Sequence, residues 1–279
     1  MKKRLSGGVV PCQPLCIRME IRMIKGIIKT AMLHRYAIKF VLRLTIFVLV
    51  FGLYLTKKEL LMELIRHKFA FGVEEYGITP LHILWTFFMV MMLLHLFPHR
   101  SLSMALRKNK EENYVEVPGY SEYELLKFVQ NQNIKAWKVM LVWLSGNAVV
   151  GALYLFEILD SADLLMLTVF YFLCDYICIL FFCPFQTFLM KNKCCVNCRI
   201  YDWGHFMMFT PMLFIKNFFS WSLFFTSLVV LIHWEIVYAK YPQRFWSGSN
   251  QTLKCKNCRD KTCQMKKRLK CGKDFTFQK

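Results

Sequence analysis

The sequence predicts an all-α fold: a polytopic membrane helical bundle of five or six hydrophobic segments with cytoplasmic Cys-rich segments. Three observations predict it. The 279 residues are 56% hydrophobic and 16% aromatic. The apolar residues come in long runs with neither strand alternation nor the polar gaps of a surface helix. The chain nevertheless has a formal net charge of +19. Oil-like runs alternating with basic connectors are the mark of a membrane protein whose cytoplasmic loops collect Lys and Arg. A nucleic-acid binder with a large core would not run its apolar residues together in this way, so no nucleic-acid partner is expected.

The elements follow in order. Residues 1–39 form a basic N-terminal segment. Ile17, Ile21, Ile24, Ile28 and Met32 fall near helical spacing with basic residues between. This reads equally as an amphipathic helix lying on anionic lipid and as a helical lead into the first span. The basic start is not followed by a short apolar core with a small-residue cleavage site, so no cleavable signal is expected.

A spanning helix needs about 20 mainly apolar residues. Residues 40–55, 80–97, 139–156 and 164–185 are the four clear candidates. Between the first two, residues 57–71 read as an interfacial helix with Leu60, Leu61, Leu64 and Ile65 on its apolar side. Within the loop 98–138, residues 122–130 have helical character. Residues 206–238 are nearly all apolar, broken by Pro211 and by Lys216-Asn217. Two readings stand: a re-entrant segment 204–215 followed by one helix 218–238, or two tight spans turning at Lys216-Asn217. The transmembrane domain thus occupies 40–239, and a basic, Cys-rich tail follows at 240–279.

The distribution of Lys and Arg orients the bundle. Residues 1–39 hold nine, the loop 98–138 seven, the segment 191–203 three and the tail twelve. Residues 57–78 hold four, offset by four Glu, and the turn 157–163 holds none. The N-terminus, the long loop, the Cys-rich loop 191–203 and the tail are therefore expected in the cytoplasm, with the protein in the cell membrane.

Two cysteine clusters flank the last apolar block: Cys194-Cys195-x-x-Cys198-Arg, and Cys255-x-x-Cys258-x4-Cys263 with Cys271 beyond. A tight turn brings both sulfurs of a C-x-x-C pair to one ion, and two pairs on one membrane face supply a tetrahedral thiolate set. Cys194, Cys195, Cys198, Cys255, Cys258 and Cys263 are the candidate ligands of zinc or an iron–sulfur cluster. Lys193, Arg199, Lys254, Lys256, Arg259 and Lys261 would favour thiolates there. Disulfides or redox-active thiols are the competing reading.

The run from Cys194 to Ile215, with Tyr-Asp-Trp-Gly-His-Phe-Met-Met-Phe-Thr-Pro after the cysteines, resembles a family of uncharacterised prokaryotic multi-span membrane proteins. The later Cys255-x-x-Cys258-x4-Cys263 run is similar to theirs as well. The likeness covers roughly the C-terminal third. It implies that the two motifs belong together, and it implies no activity.

Polar groups within the membrane are the remaining candidates. Asp175 falls in the middle of the fourth span, where a carboxylate must be paired, neutral or wet. It reads as a proton or cation relay, a quinone contact, or a protonated group bonded to another helix. His95, His205 and His233 are further intramembrane candidates; His on facing helices is one way to hold haem b, and packed His is the plainer account. Cys174 and Cys178 read as buried structural thiols, Gly146 and Asn147 as helix-packing positions, and Trp203, Trp234 and Trp246 as interfacial anchors.

Two functions are open on sequence. One is a redox protein passing electrons from a cytoplasmic iron–sulfur centre to a quinone or a redox partner, with Asp202 and His205 handling protons. The other is a non-enzymatic transport, assembly or scaffold protein with a structural zinc site. No catalytic motif decides between them.

Overall fold

The computed structural model describes residues 31–66, 80–97, 104–108, 110–192, 194–258, 260–263 and 266. Among them the regular structure is helical: α1 (Ala31–Thr56), α2 (Lys58–Arg66), α3 (Pro80–Leu96), α4 (Glu122–Leu155), α5 (Ser161–Leu180), α6 (Gly204–Phe209) and α7 (Phe218–Lys240). Four of these, α1, α4, α5 and α7, are long and apolar enough to cross a membrane, and α3 is a shorter apolar helix. Most of the amphipathic N-terminal expectation lies outside the described residues.

Local chemistry fixes the helix ends. Ser121 caps α4, its side chain accepting from the Glu124 amide at 3.4 Å. The helical character expected at 122–130 is the first quarter of one unbroken helix that continues into the span. At α5, Asp160 accepts from the Ala162 and Asp163 amides while Asp163 accepts from the Asp160 amide, a reciprocal capping box. That helix stops at Leu180 rather than running to 185, because Pro184 has no amide to continue the ladder. Asn217 caps α7.

α1 and α5 run antiparallel. Tyr54 near the end of α1 donates to Asp163 at 2.6 Å, and Lys58 reaches Asp160 and Asp163 at 2.8 and 3.1 Å. The start of α7 lies against the start of α3, where Trp85 donates to Ser222 at 2.8 Å and the His82 and Phe219 rings meet edge to face. Its last turns lie against the Cys-rich loop through Glu235 and Tyr238. The broken segment before it, α6 and the 3-10 turn Thr210–Phe214, leads from His205 beside His95 to Phe214 beside Gly151. A Cβ on Gly151 would run into the Phe214 ring, so a larger residue there requires that ring to shift. Gly146, by contrast, has open space around it, while its neighbour Asn147 is buried and donates to the Trp143 carbonyl at 2.9 Å.

One core, including Met92, Leu164, Phe209 and Val230, is shared by α3, α5, α6 and α7. A second joins Ala136 and Val139 of α4 to Cys198, Ile200, Trp203 and Phe224. The outer surface is as apolar as the interior: Val41, Leu49, Leu141, Val149, Val229 and Ile236 are all more than half exposed. Soluble proteins do not display such contiguous apolar surface, and lipid is its natural solvent.

At the end of the bundle that carries the Cys-rich loop, the polar segments form an ordered cap. Val117 and Gln251 bond across to Ser249 and Val115. Arg244 pairs with Glu111 at 3.0 Å, and the fully buried Asn250 holds the Arg244 carbonyl and the Thr252 amide. Ala105, Val196 and Leu253, one from each of the three polar segments, close a small core.

Candidate functional site

The Cys-rich loop is clamped to the bundle through the residue that follows its last cysteine. Arg199 makes a bidentate pair with Glu235 of α7, its guanidinium 3.7 Å from the Tyr238 ring centre. Trp203 donates to the same carboxylate at 2.7 Å. A second tie comes from the loop before α4, where buried Lys108 reaches the Val196 carbonyl at 3.3 Å and Asp202 at 3.7 Å. Burial outweighs that lysine and pushes the Asp202 carboxyl up to about 6.

The clamp sets where the sulfurs lie. Cys194 and Cys258, one from each motif, pack on the same small core beside Leu253. Cys195 lies within electrostatic reach of Cys183 and Cys263. Lys266 donates to the Cys195 sulfur and to Gln186, both at 2.7 Å, and Cys195 in turn faces Gln186 at 3.3 Å. The Cys178 and Cys183 thiols lie close enough at the end of α5 for each to shift the other's proton affinity, and Cys183 accepts from the Gln186 amide at 3.4 Å. Cys198 is buried and Cys255 is exposed.

The two motifs thus come to one face of the bundle, as a shared ligand set requires. The six expected ligands do not close into one shell: among the described residues no group of three or more His, Cys, Asp and Glu is arranged to hold a metal ion. Cys271 lies outside the described residues. The donor set as it stands is pairwise, Cys194 with Cys258 and Cys195 with Cys263.

In the first motif the expectation of thiolates is corrected. Arg199 is spent on Glu235, and burial dominates the loop sulfurs, raising Cys194 to about 11, Cys198 to about 12 and Cys195 in the same direction. The exception is Cys183, drawn down to about 7 first by the neighbouring Cys178 thiol, with help from backbone amides and Lys266 against its burial.

A second polar site lies inside the bundle. Asp175 is paired with Arg43 of α1 at 2.7 Å. Arg43 also donates to the Phe172 carbonyl at 2.6 Å, and its guanidinium lies 4.0 Å from both the Phe172 and Tyr176 ring centres. Gly204 leaves room for the carboxylate; a Cβ there would stand 3.1 Å from Asp175 Oδ1. His95 and His205 stand alongside, Nδ1 to Nε2 at 3.4 Å with their rings edge to face. They hold each other, with no gap between the rings for a haem. All of these groups line one cavity of about 330 Å³.

His233 of α7 is apart from both sites, half-buried against Trp234. Trp203 and Trp234 are core residues at 4% and 2% exposure, and Trp246 stacks on Phe128, so none of the three stands as a free interfacial anchor. Sequence reasoning missed Arg43, Cys183, Gln186 and Lys266. Arg43 had a signal: it is the single charged residue in the apolar run 40–55, as Asp175 is in 164–185. Cys183 and Gln186 had none, since their role depends on how the chain turns after α5. No family model, curated protein or solved structure matches this chain.

Proposed function

We propose that this is a six-pass cell-membrane protein that carries out dithiol–disulfide exchange at its cytoplasmic face. The passage count rests on the broken segment 204–217. Its six α-helical and five 3-10 residues rise about 19 Å together, and the flanking turns make up the remainder of an about 30 Å hydrocarbon core. With that passage, both chain ends, the loop 98–138 and the Cys-rich loop share the side that holds most of the Lys and Arg, as the charge rule asks.

The observation that carries the chemistry is the placing of the Cys178 and Cys183 thiols side by side at the end of α5, where Cys178, backbone amides and Lys266 draw the Cys183 thiol down. Cys183 as thiolate attacks one sulfur of a partner disulfide, forming a mixed disulfide and releasing the partner's other sulfur as a thiolate. Cys178 gives up its proton and attacks the Cys183 sulfur, which expels the second partner thiolate. Two cysteine thiols are oxidised to one disulfide, and one partner disulfide is reduced to two thiols that take up the two protons. Cytosolic disulfides of this kind are transient and catalytic or redox-sensing. The redox partner is therefore a protein or small-molecule disulfide.

A second reading keeps the metal centre, zinc or iron–sulfur, as a staple between tail and bundle. The approach of Cys194 to Cys258 and of Cys195 to Cys263 favours it. One experiment separates the two. Protein purified without oxygen is analysed for zinc, iron and visible absorption, then titrated with an aliphatic disulfide and mapped by mass spectrometry. Metal-free protein that forms a Cys178–Cys183 disulfide, lost in Cys183→Ser, supports exchange. Stoichiometric zinc, or iron with visible absorption, moves the function to the second reading.

A further inference from the structure

We propose that the cavity between α1, α3, α5 and α6 is a binding site for a phosphate-bearing anion, entered from the capped end of the bundle. Three cations of α1, Arg35, Lys39 and Arg43, line it at intervals of four residues, which sets them on one helix face. Two acids also line it, and neither offsets the outer cations. Asp175 is taken by Arg43 at 2.7 Å, and Asp202 faces Lys108 at 3.7 Å. Arg35 and Lys39 have no carboxylate partner among the described residues. They lie close enough to feel each other and Arg43 electrostatically.

Arg43 is neutralised by Asp175, which leaves Arg35 and Lys39 as two exposed positive charges that repel each other beside one volume. An anion between them removes that repulsion. Arg43 cannot move aside, because the Phe172 carbonyl, Asp175 and two aromatic rings hold its guanidinium. A guanidinium and an ammonium one helical turn apart, neither paired with a carboxylate among the described residues, suit the oxygens of a phosphate. The rest of the lining suits the remainder of such a ligand. Tyr36 and Tyr201, with hydroxyls 3.5 Å apart, and the His95–His205 pair offer polar contacts, while Met91, Ile179 and Met208 offer an apolar wall. The volume, about 330 Å³, is that of a small-molecule site. A lipid phosphomonoester headgroup entering from the leaflet and a soluble phosphate entering from the aqueous side share this chemistry. The site is independent of the cysteine pair.

The test uses the full chain in neutral detergent and three probes: inorganic phosphate, phosphatidic acid, and phosphatidylcholine as the zwitterionic control. Binding is read as a rise in Tm and as adducts in native mass spectrometry. The variant is Arg35→Gln/Lys39→Gln, which leaves the Arg43–Asp175 pair in place. A second variant, Lys127→Gln/Lys138→Gln, removes two exposed charges of α4 remote from the cavity. The expectation is that phosphatidic acid or inorganic phosphate stabilises the wild type beyond the control lipid. That affinity falls about thirtyfold in the cavity variant, at about fivefold per cation, and stays unchanged in the α4 variant. Stabilisation by phosphatidic acid alone identifies a lipid ligand, and stabilisation by inorganic phosphate identifies a soluble one. No preference over phosphatidylcholine, or an equal loss in both variants, overturns the proposal.

Discussion

Arg43 of α1 and Asp175 of α5 meet at 2.7 Å inside the helical bundle, 132 residues apart in the chain. Each is the lone charge of an apolar run, and each would be expensive at that depth without the other. Asp175→Asn removes the charge that answers the guanidinium, leaves it the Phe172 carbonyl, and should cost about 1–3 kcal/mol, whereas Arg43→Met/Asp175→Leu should recover most of the loss. Denaturant titration in micelles checks both. A double variant as unstable as the single one would deny that the pair is the source.

Gly151 faces the Phe214 ring, which a Cβ there would run into. Gly151→Ala should lower stability by about 1–3 kcal/mol through overpacking, and Phe214→Leu in the same chain should restore part of it. Gly146→Ala, with open space around it, should be neutral or slightly stabilising through helix propensity.

Glu235 holds Arg199 and Trp203 together. Glu235→Gln removes the charge of a bidentate pair and should loosen the Cys-rich loop before it unfolds the bundle. The readout is alkylation of Cys198, which is 5% exposed in the intact fold. It should rise at least tenfold in the variant, while helix content by circular dichroism stays constant.

Cys183 is drawn down to about 7, first by the neighbouring Cys178 thiol. Its alkylation rate should therefore rise through pH 7 and level off above it. In Cys178→Ala the midpoint should move up toward the free-cysteine value of about 8.5. An unchanged midpoint would mean that Lys266 and the backbone amides, not Cys178, poise this sulfur.

Burial raises the Asp202 carboxyl from 3.8 to about 6. The folded state therefore binds this proton more tightly than the unfolded state. Its contribution favours folding below about pH 4 and is lost as pH rises through about 6. Asp202→Asn should flatten the stability profile across that window, as followed by Tm from pH 4 to 7.

The membrane class and the main helices were legible because long apolar runs have one solvent that suits them. Both ends of α5 were misplaced: the apolar run put the start at 164 although the cap Asp160-Ser-Ala-Asp163 is written in the residues, and the end at 185 because the loop after Leu180 also reads as apolar. The pairing of the two cysteine motifs was legible as proximity and not as a ligand shell. Proximity follows from which end of the bundle each segment reaches, whereas a shell depends on the exact turn of each loop. Trp203 and Trp234 show the same divide. Their type suggested a membrane interface, and their place in the core came from what α7 packs against.

The sequence alone determined that the chain must hide some helices in lipid, and which connectors stay in water, because both follow from transfer free energies that add along the chain. Only the tertiary structure decided that Arg43 answers Asp175, that Cys178 faces Cys183, and that Arg35 and Lys39 open onto a shared cavity. Those relations depend on helix rotation and crossing, which are set by the shapes of side chains meeting across the bundle and leave no trace in any single segment.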